Sequence, residues 1–320
     1  MIHPKTILVT GCAGFIGSNF VKQFRKNFPK TKIIGIDDFS TGHKKALEPS
    51  IIFYYGSILN EKLLEKIFFK YKPEYIFHFA ALPEVSYSIE HPRHTSEVNI
   101  VGTVALLEAS KNHGVKRFIF SSSSSVYGDA KKLPTKESEN SPDPKSPYAV
   151  QKYISELFCK IFSDLFGLDT VCLRYFNVFG PGQYGNSPYS TVVSAWLESI
   201  YFLKKKSTFI EGDGNQSRDF CYVDNVVLAN ILVMKSKQNF KGEVLNVAYG
   251  NQTKINEVKR LIEKYTGKKL DLEKLPPRLG DVRHTHADIS KARKLIGYNP
   301  RVNFEDGLKK TIDWFKSRKI

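Results

Sequence analysis

From Thr6 to Arg174, short apolar runs alternate with stretches whose apolar positions recur every three or four residues. The runs at 6–10, 32–37, 51–55, 75–79, 117–121 and 170–174 read as strands. The periodic stretches at 15–28, 61–71, 97–112 and 148–166 read as helices. Strands alternating with helices of this length predict an α/β unit with a parallel sheet covered on both faces. Between 129 and 147 the chain turns polar and carries Pro134, Pro142, Pro144 and Pro147. That pattern predicts a surface loop, with Pro147 suited to open the helix that follows. Beyond Gly180-Pro181-Gly182 the alternation breaks up, which predicts a smaller α/β domain packed on the first. The expected division is 1–175, with roughly 225–250 returning to the sheet, against 176–224 and 251–320.

Composition narrows the class without naming a function. The chain has 320 residues, 41% hydrophobic and 25% charged, which excludes disorder and collagen-like repeats. A core of this size forms without disulfides. Cys12, Cys159, Cys172 and Cys221 stand far apart with no C-x-x-C pair, as expected of thiols in a reducing, cytoplasmic setting. Ile7-Leu8-Val9 leads into glycines instead of a cleavage site, and no apolar run reaches the ~18 residues of a membrane helix. Lys+Arg number 48 against 32 Asp+Glu, a formal net charge of +16. The basic residues are scattered in pairs such as Lys44-Lys45 and Lys131-Lys132, without interleaved aromatics. They read as a solvated basic surface, with neither nucleic acid nor membrane expected as a partner.

Candidate chemistry begins at Thr10-Gly11-Cys12-Ala13-Gly14-Phe15-Ile16-Gly17, the turn from the first strand into the first helix. Gly11 permits the tight turn, Gly14 lets backbone approach a pyrophosphate, and Gly17 lets the helix pack closely on the sheet. Asp37 ends the second strand, where its carboxylate can accept from ribose hydroxyls and repel a 2′-phosphate. Together these predict a Rossmann-type doubly wound sheet that binds NAD in preference to NADP.

A second constellation lies at the far side of the predicted sheet. Tyr148 and Lys152 stand four apart, on one face of a helix. A phenol with an ordinary pKa near 10 is a poor base, and a neighbouring ammonium together with a positive nicotinamide would favour its phenolate. The strand ending Ser121-Ser122-Ser123-Ser124-Ser125 supplies hydroxyls at the carboxyl end of a parallel strand, where α/β sheets place ligands.

These motifs are similar to those of the extended short-chain dehydrogenase/reductase family, also called NAD-dependent epimerases/dehydratases, along nearly the whole chain. Thr-Gly-x-x-Gly-Phe-Ile-Gly at 10–17 carries the resemblance. So do Asp37-Asp38-Phe39-Ser40-Thr41-Gly42, His78-Phe79-Ala80-Ala81 and Asn99. The resemblance implies NAD contacts from Gly11, Gly14, Phe15, Ile16, Gly17, Asp37, Asp38, Phe39, Ser40, Gly42, Phe79, Ala80, Ala81, Asn99, Ser121, Tyr148, Lys152 and Tyr175. Where the family commonly has Gly-Asp-Ile against adenine, this chain has Gly56-Ser57-Ile58: Ser57 can still hydrogen-bond and Ile58 can still pack. Ser123, counted back from Val126-Tyr127-Gly128, is implied as the catalytic serine, with Ser124 as the alternative. Tyr148 is implied as the base, and Lys152 as the residue holding both tyrosine and nicotinamide ribose.

The same resemblance narrows the reaction. Dehydratases of the family carry an acidic pair, and decarboxylases a Glu, where this chain has Ser124 and Ser125. Reversible oxidation without elimination, hence 4-epimerisation of a UDP-sugar, is the expected outcome. Asn177, in Leu173-Arg174-Tyr175-Phe176-Asn177, is implied on the substrate phosphates, with Arg218 and Arg278 clamping the diphosphate. Phe209 either stacks on uracil or fills the core. Asp281-Val282-Arg283-His284-Thr285 resembles the segment that gates the sugar, and the small Thr285 leaves room for an N-acetyl group. The match is nearest the UDP-N-acetylglucosamine 4-epimerase and UDP-glucose 4-epimerase branches. UDP-glucose-only and UDP-glucuronate 4-epimerases remain alternatives, and from another class a basic RNA-binding module without turnover. His284 and His286 read as non-ligands, so no metal is expected. A homodimer through the helices at 97–112 and 148–166 is implied by the family.

Overall fold

Seven strands lie parallel in one sheet, and its inner strands are buried on both faces. The computed structural model describes residues 3–185, 190–202, 208–276 and 282–318. In chain order the first part comprises β1 (Thr6–Thr10), α1 (Phe15–Asn27), β2 (Lys32–Asp37), β3 (Ile52–Tyr55), α2 (Glu61–Tyr71), β4 (Tyr75–His78), α3 (Val85–Glu90) and α4 (Pro92–Ser96). It continues with α5 (Gly102–Asn112), β5 (Arg117–Ser123), α6 (Pro147–Phe166) and β6 (Thr170–Tyr175). Then come β7 (Val178–Phe179), α7 (Val192–Tyr201), β8 (Thr208–Glu211), β9 (Ser217–Arg218), β10 (Cys221–Tyr222), α8 (Val223–Lys235) and β11 (Glu243–Val247). The last elements are β12 (Thr253–Lys254), α9 (Ile255–Thr266), β13 (Leu272–Leu275), α10 (Ser290–Ile296) and α11 (Phe304–Ser317).

The large sheet has the order β11-β6-β5-β4-β1-β2-β3. The winding direction reverses between β1 and β4, which opens a crevice at their carboxyl ends. One apolar core fills the side of α1 and α8; another fills the side of α2, α5 and α6. A third core, with Trp196, Phe220, Ile262, Leu308 and Phe315, joins α7, α9 and α11 outside the sheet.

Element boundaries depart from the sequence pattern at informative places. β5 runs two residues longer than expected and so carries Ser122 and Ser123 into the sheet. α6 starts at Pro147 because the Ser146 hydroxyl accepts from the Ala149 amide at 3.2 Å and caps the helix. The helix expected at 97–112 begins instead at α4 and passes through a π turn, Glu97–Val101, before α5. The extra residue frees the Asn99 carbonyl, which accepts from the Thr103 and Ser155 hydroxyls at 2.7 and 3.1 Å.

The amino ends of β5 and β6 are tied to α8 by one buried ion pair. Arg117 meets Asp169 at 2.7 Å, and its other nitrogens donate to the Val233, Ser236 and Gln238 carbonyls. Asp169 also accepts from the Phe240 amide at 2.7 Å. Removing one member strands the other in the core, so Asp169→Ala is expected to lower unfolding free energy by about 3–5 kcal/mol. Urea unfolding followed by circular dichroism reads that loss.

Candidate active site

The glycine turn is built by backbone crowding. Gly11 has φ +68°, and a Cβ there would lie 2.7 Å from the Ala80 amide nitrogen. A Cβ on Gly17 would lie 2.1 Å from the Gly11 carbonyl oxygen, so only glycine brings α1 this close. Gly14 precedes α1, whose first turn, with Phe15 and Ile16, carries no acidic residue and no side-chain cap. Amides at that end are suited to a pyrophosphate. Phe15 packs into the third core and Ile16 into the core beneath α1.

Asp37 is buried at the end of β2. One carboxylate oxygen accepts from the Ala13 amide and the other from Phe39, each at 2.8 Å. Burial pushes its pKa up, against those two amides. Phe39 takes φ +59°, a strained conformation for an aromatic residue, and stacks on Tyr55 at 5.7 Å. Asp38 accepts from the Ser40 amide at 2.9 Å, and Gly42 lies directly against Asp37. Ser57 accepts from the Leu59 amide at 3.3 Å, while Ile58 is buried over Gly102. The crowded glycines and the ribose-directed carboxylate fit a dinucleotide.

Across the crevice, His78 bridges Thr10 and Thr103 at 2.7 and 2.9 Å, and burial pushes its pKa down to about 3. The Thr10 hydroxyl also accepts from the Ala80 amide at 3.2 Å, placing Phe79, Ala80 and Ala81 beside Gly11. Asn99 reads both backbone groups of Leu82 and donates to the Gln151 carboxamide at 2.8 Å. Gln151 in turn donates to the Thr95 and Ser96 hydroxyls. Its position between Tyr148 and Lys152, polar on a buried helix face, was the overlooked signal. Ser88 on α3 was missed without any local signal: its hydroxyl accepts from the Tyr148 amide at 3.1 Å.

Tyr148, Lys152, Ser121 and Ser123 come together where α6 crosses the end of β5. Burial pushes the pKa of the Tyr148 phenol up to about 12, and Ser123, the residue that resemblance singled out, is the group that opposes the rise. The Ser123 hydroxyl accepts from the Ser125 amide at 3.2 Å and the Ser125 hydroxyl at 3.0 Å. Its own proton is therefore left for the phenol oxygen. Lys152 donates to the Ser121 carbonyl at 2.7 Å and lies 5.8 Å from the Tyr148 ring centre. Burial lowers the Lys152 pKa to about 8. The expected acidification of Tyr148 by this ammonium is not what governs the phenol: desolvation raises it, and the counteracting group is Ser123. Tyr175 is held by Ser121 and Asn230 at the end of β6.

Glu156, one turn after Lys152, forms a buried pair with Arg174 at 2.6 Å and accepts from the Ser122 hydroxyl at 2.5 Å. It anchors the strand behind Ser121 and Ser123, a role unforeseen from sequence.

Of the substrate candidates, Asn177 and Thr285 meet directly, with the Asn177 amide donating to the Thr285 hydroxyl at 2.9 Å. The Asp219 amide donates to that hydroxyl as well, at 3.0 Å. Asn177 takes φ +28°, an unfavourable region that Asn tolerates better than most residues. Arg218 is buried and donates to the Ser217 and Arg283 carbonyls, each at 3.0 Å. The Asp219 carboxylate, unassigned from sequence, accepts from the amides of Tyr249, Gly250 and Ala287. Its burial pushes the pKa to about 6. Phe209 is 40% exposed on β8, so it is not a core side chain. Arg278 and Asp281 lie outside the described residues. His284 bonds Ser217 through Nδ1 at 2.8 Å, and His286 contacts the Gly250 carbonyl at 3.3 Å.

The family model for the NAD-dependent epimerase/dehydratase family matches residues 7–248. A UDP-glucose 4-epimerase of Thermotoga maritima, solved with UDP-glucose, superposes with a TM-score of 0.91 at 40% identity, over 97% of this chain and 98% of that one. A UDP-N-acetylglucosamine 4-epimerase of Methanobrevibacter ruminantium, in complex with UDP-N-acetylmuramic acid, gives 0.90 at 40% identity over 99% of both chains. A UDP-glucuronate 4-epimerase of Thermodesulfobacterium geofontis is 35% identical over 97% of this chain and 95% of its own length. With the dinucleotide turn, the Ser123–Tyr148–Lys152 cluster and these full-length similarities, the chain belongs to the NAD-dependent epimerase/dehydratase family.

Proposed function

We propose that this enzyme is a UDP-hexose 4-epimerase that accepts 2-acetamido sugars, interconverting UDP-N-acetylglucosamine with UDP-N-acetylgalactosamine and also UDP-glucose with UDP-galactose. The observation that carries the reading is the placement of Tyr148 and Lys152 on α6 against the end of β5, where the strand bears Ser121 and Ser123 and continues with serines, and no carboxylate, at 124 and 125. The proposed roles divide the chain into the sheet with β11, which holds NAD, and the segments 176–224 and 251–320, which hold the nucleotide sugar.

In this mechanism the Ser123 proton favours phenolate at Tyr148, which takes the proton from the sugar's 4-hydroxyl. NAD supplies the two-electron acceptor at C4 and then the donor that returns the electrons. The 4-keto sugar turns within the pocket, is reduced on its other face, and recovers its proton from Tyr148. Lys152, with one donor on the Ser121 carbonyl, has two more for the nicotinamide ribose. Each Asp37 oxygen accepts one amide and keeps a lone pair for the adenosine ribose. Asn177, Arg218 and Arg278 are assigned to the diphosphate, Phe209 to the uracil face, and Asp281 and Thr285 to the sugar. The small Thr285 side chain is the basis for accepting an acetamido group.

We assign a homodimer to the exposed face of α6. Val150, Leu157, Ile161 and Leu165 are 39%, 48%, 47% and 69% exposed along it, and Val101 beside α5 is 55% exposed. That apolar stripe suits a second copy presenting the same face.

Tyr148→Phe is expected to reduce kcat by about 100-fold or more while NAD still co-purifies, and unimpaired turnover removes Tyr148 as the base. Separate incubations with UDP-N-acetylglucosamine, UDP-glucose and UDP-glucuronate, read by chromatography of the epimers, test the substrate. Product is expected from the first two; no interconversion of the acetamido sugar overturns this choice. Sedimentation velocity is expected to show a dimer that Leu157→Asp with Ile161→Asp converts to monomer.

A further inference from the structure

The loop from Gly180 to Gly185 touches both α1 and the outer helices; the Gln183 amide donates to the Gly180 carbonyl at 3.3 Å and its Nε2 to the Val178 carbonyl at 3.2 Å. Gln183 Oε1 is buried in it with no hydrogen-bond partner. A buried acceptor left this way disfavours its own loop conformation, so other contacts must hold the loop in place. On the cofactor side, Asn19 in α1 donates to the Pro181 carbonyl at 2.8 Å. A Cβ on Gly182 would lie 3.9 Å from the Phe15 ring, in the first turn of α1. The Tyr184 ring meets His43 edge-on at 4.2 Å, and the His43 amide donates to the Ala13 carbonyl at 3.0 Å. The loop thus packs against His43, next to Gly42, and against the first turn of α1.

On the other side one guanidinium holds it. Arg318, at the end of α11, pairs in bidentate fashion with Glu198 of α7 at 2.7 and 3.1 Å. Glu198 is buried and accepts from the Gly185 amide at 3.2 Å. The guanidinium carbon lies 4.7 Å from the Tyr184 ring centre, 4.1 Å from Phe202 and 5.1 Å from Trp314. A planar cation stacked on aromatic faces and bound to a carboxylate is well suited to fix such a loop.

We propose that Arg318 is a positioning residue for cofactor retention: through Glu198 and Tyr184 it holds the Gly180–Gly185 loop over the NAD-binding turn without touching NAD. The proposal rests on NAD binding at that turn, which is measured directly in its test.

Holoenzyme of the full chain is prepared as wild type, Arg318→Ala, Arg318→Lys and Tyr184→Ala, and NAD release is timed after rapid dilution into excess unlabelled cofactor. Arg318→Ala and Tyr184→Ala are each expected to raise the NAD dissociation rate about tenfold or more, since most affinity changes are expressed in dissociation. Arg318→Lys is expected to recover only part of the effect, because an ammonium cannot reproduce the planar bidentate pair. With saturating NAD, KM for the nucleotide sugar is expected to stay within about twofold of wild type. Unchanged dissociation rates in both alanine variants overturn the proposal, even if Arg318→Ala lowers the melting temperature. If Arg318→Ala does not fold, Tyr184→Ala decides, since it removes the His43 contact and leaves the Arg318–Glu198 pair intact. Failure to bind NAD in the wild type would instead count against the cofactor reading itself.

Discussion

The hydrogen bond from Lys152 to the Ser121 carbonyl fixes the geometry on which the rest of the site depends. It is made inside the protein, where a lone ammonium is costly, so it favours the crossing of α6 over β5 that brings Lys152 to this acceptor. Tyr148, one turn earlier on the helix, then falls beside Ser123, two residues further along the strand. Glu156, one turn later, reaches Ser122 and Arg174 and locks the same crossing from behind. Helix and strand periodicities alone bring these side chains into register once that crossing is set. The Asn99–Gln151 bond and the π turn attach this unit to Leu82, in the segment that follows β4.

The βα units of the sheet were legible because each strand and helix carries its own pattern, and the glycine turn because its spacing reflects steric needs local to one turn. The second part was not legible for a physical reason. Two of its sheets are made of two-residue strands joined across long separations, β9 with β12 and β7 with β10. Two residues have no periodicity to read. α3 escaped for a similar reason: its six residues carry too little amphipathic signal, and its role at the site comes through Ser88, a contact 60 residues from Tyr148. The Tyr148–Lys152 spacing correctly predicted a shared face but not the electrostatics. Burial dominates both pKa values, and burial is a property of the whole fold.

The positive charge divides in a way sequence cannot show. Arg117, Arg174 and Arg318 are each taken up by a carboxylate and an aromatic face: Asp169 with Phe240, Glu156 with Tyr127, Glu198 with Phe202. In chain terms the carboxylate partners are 52, 18 and 120 residues away. Each pair adds a polar tie between elements, so these guanidiniums serve the architecture instead of an anionic ligand. Arg218 also binds backbone: its Nη1 donates to the Ser217 and Arg283 carbonyls, which joins β9 to the segment that carries Thr285.

The proposed roles fall on two differently built parts of the fold. Ser123, Tyr148 and Lys152 stand on a strand and a helix tied together by Glu156. Thr285 stands among loops gathered by a single carboxylate: Asp219 holds the amides of Tyr249, Gly250 and Ala287, while its own amide reaches Thr285. In the proposed reading, oxidation and return at C4 fall to the first part and selection among sugars to the loop carrying Thr285, whose hydroxyl is itself tied to the Asp219 amide and to Asn177. On that reading, chemistry and specificity are carried by separate parts of the fold.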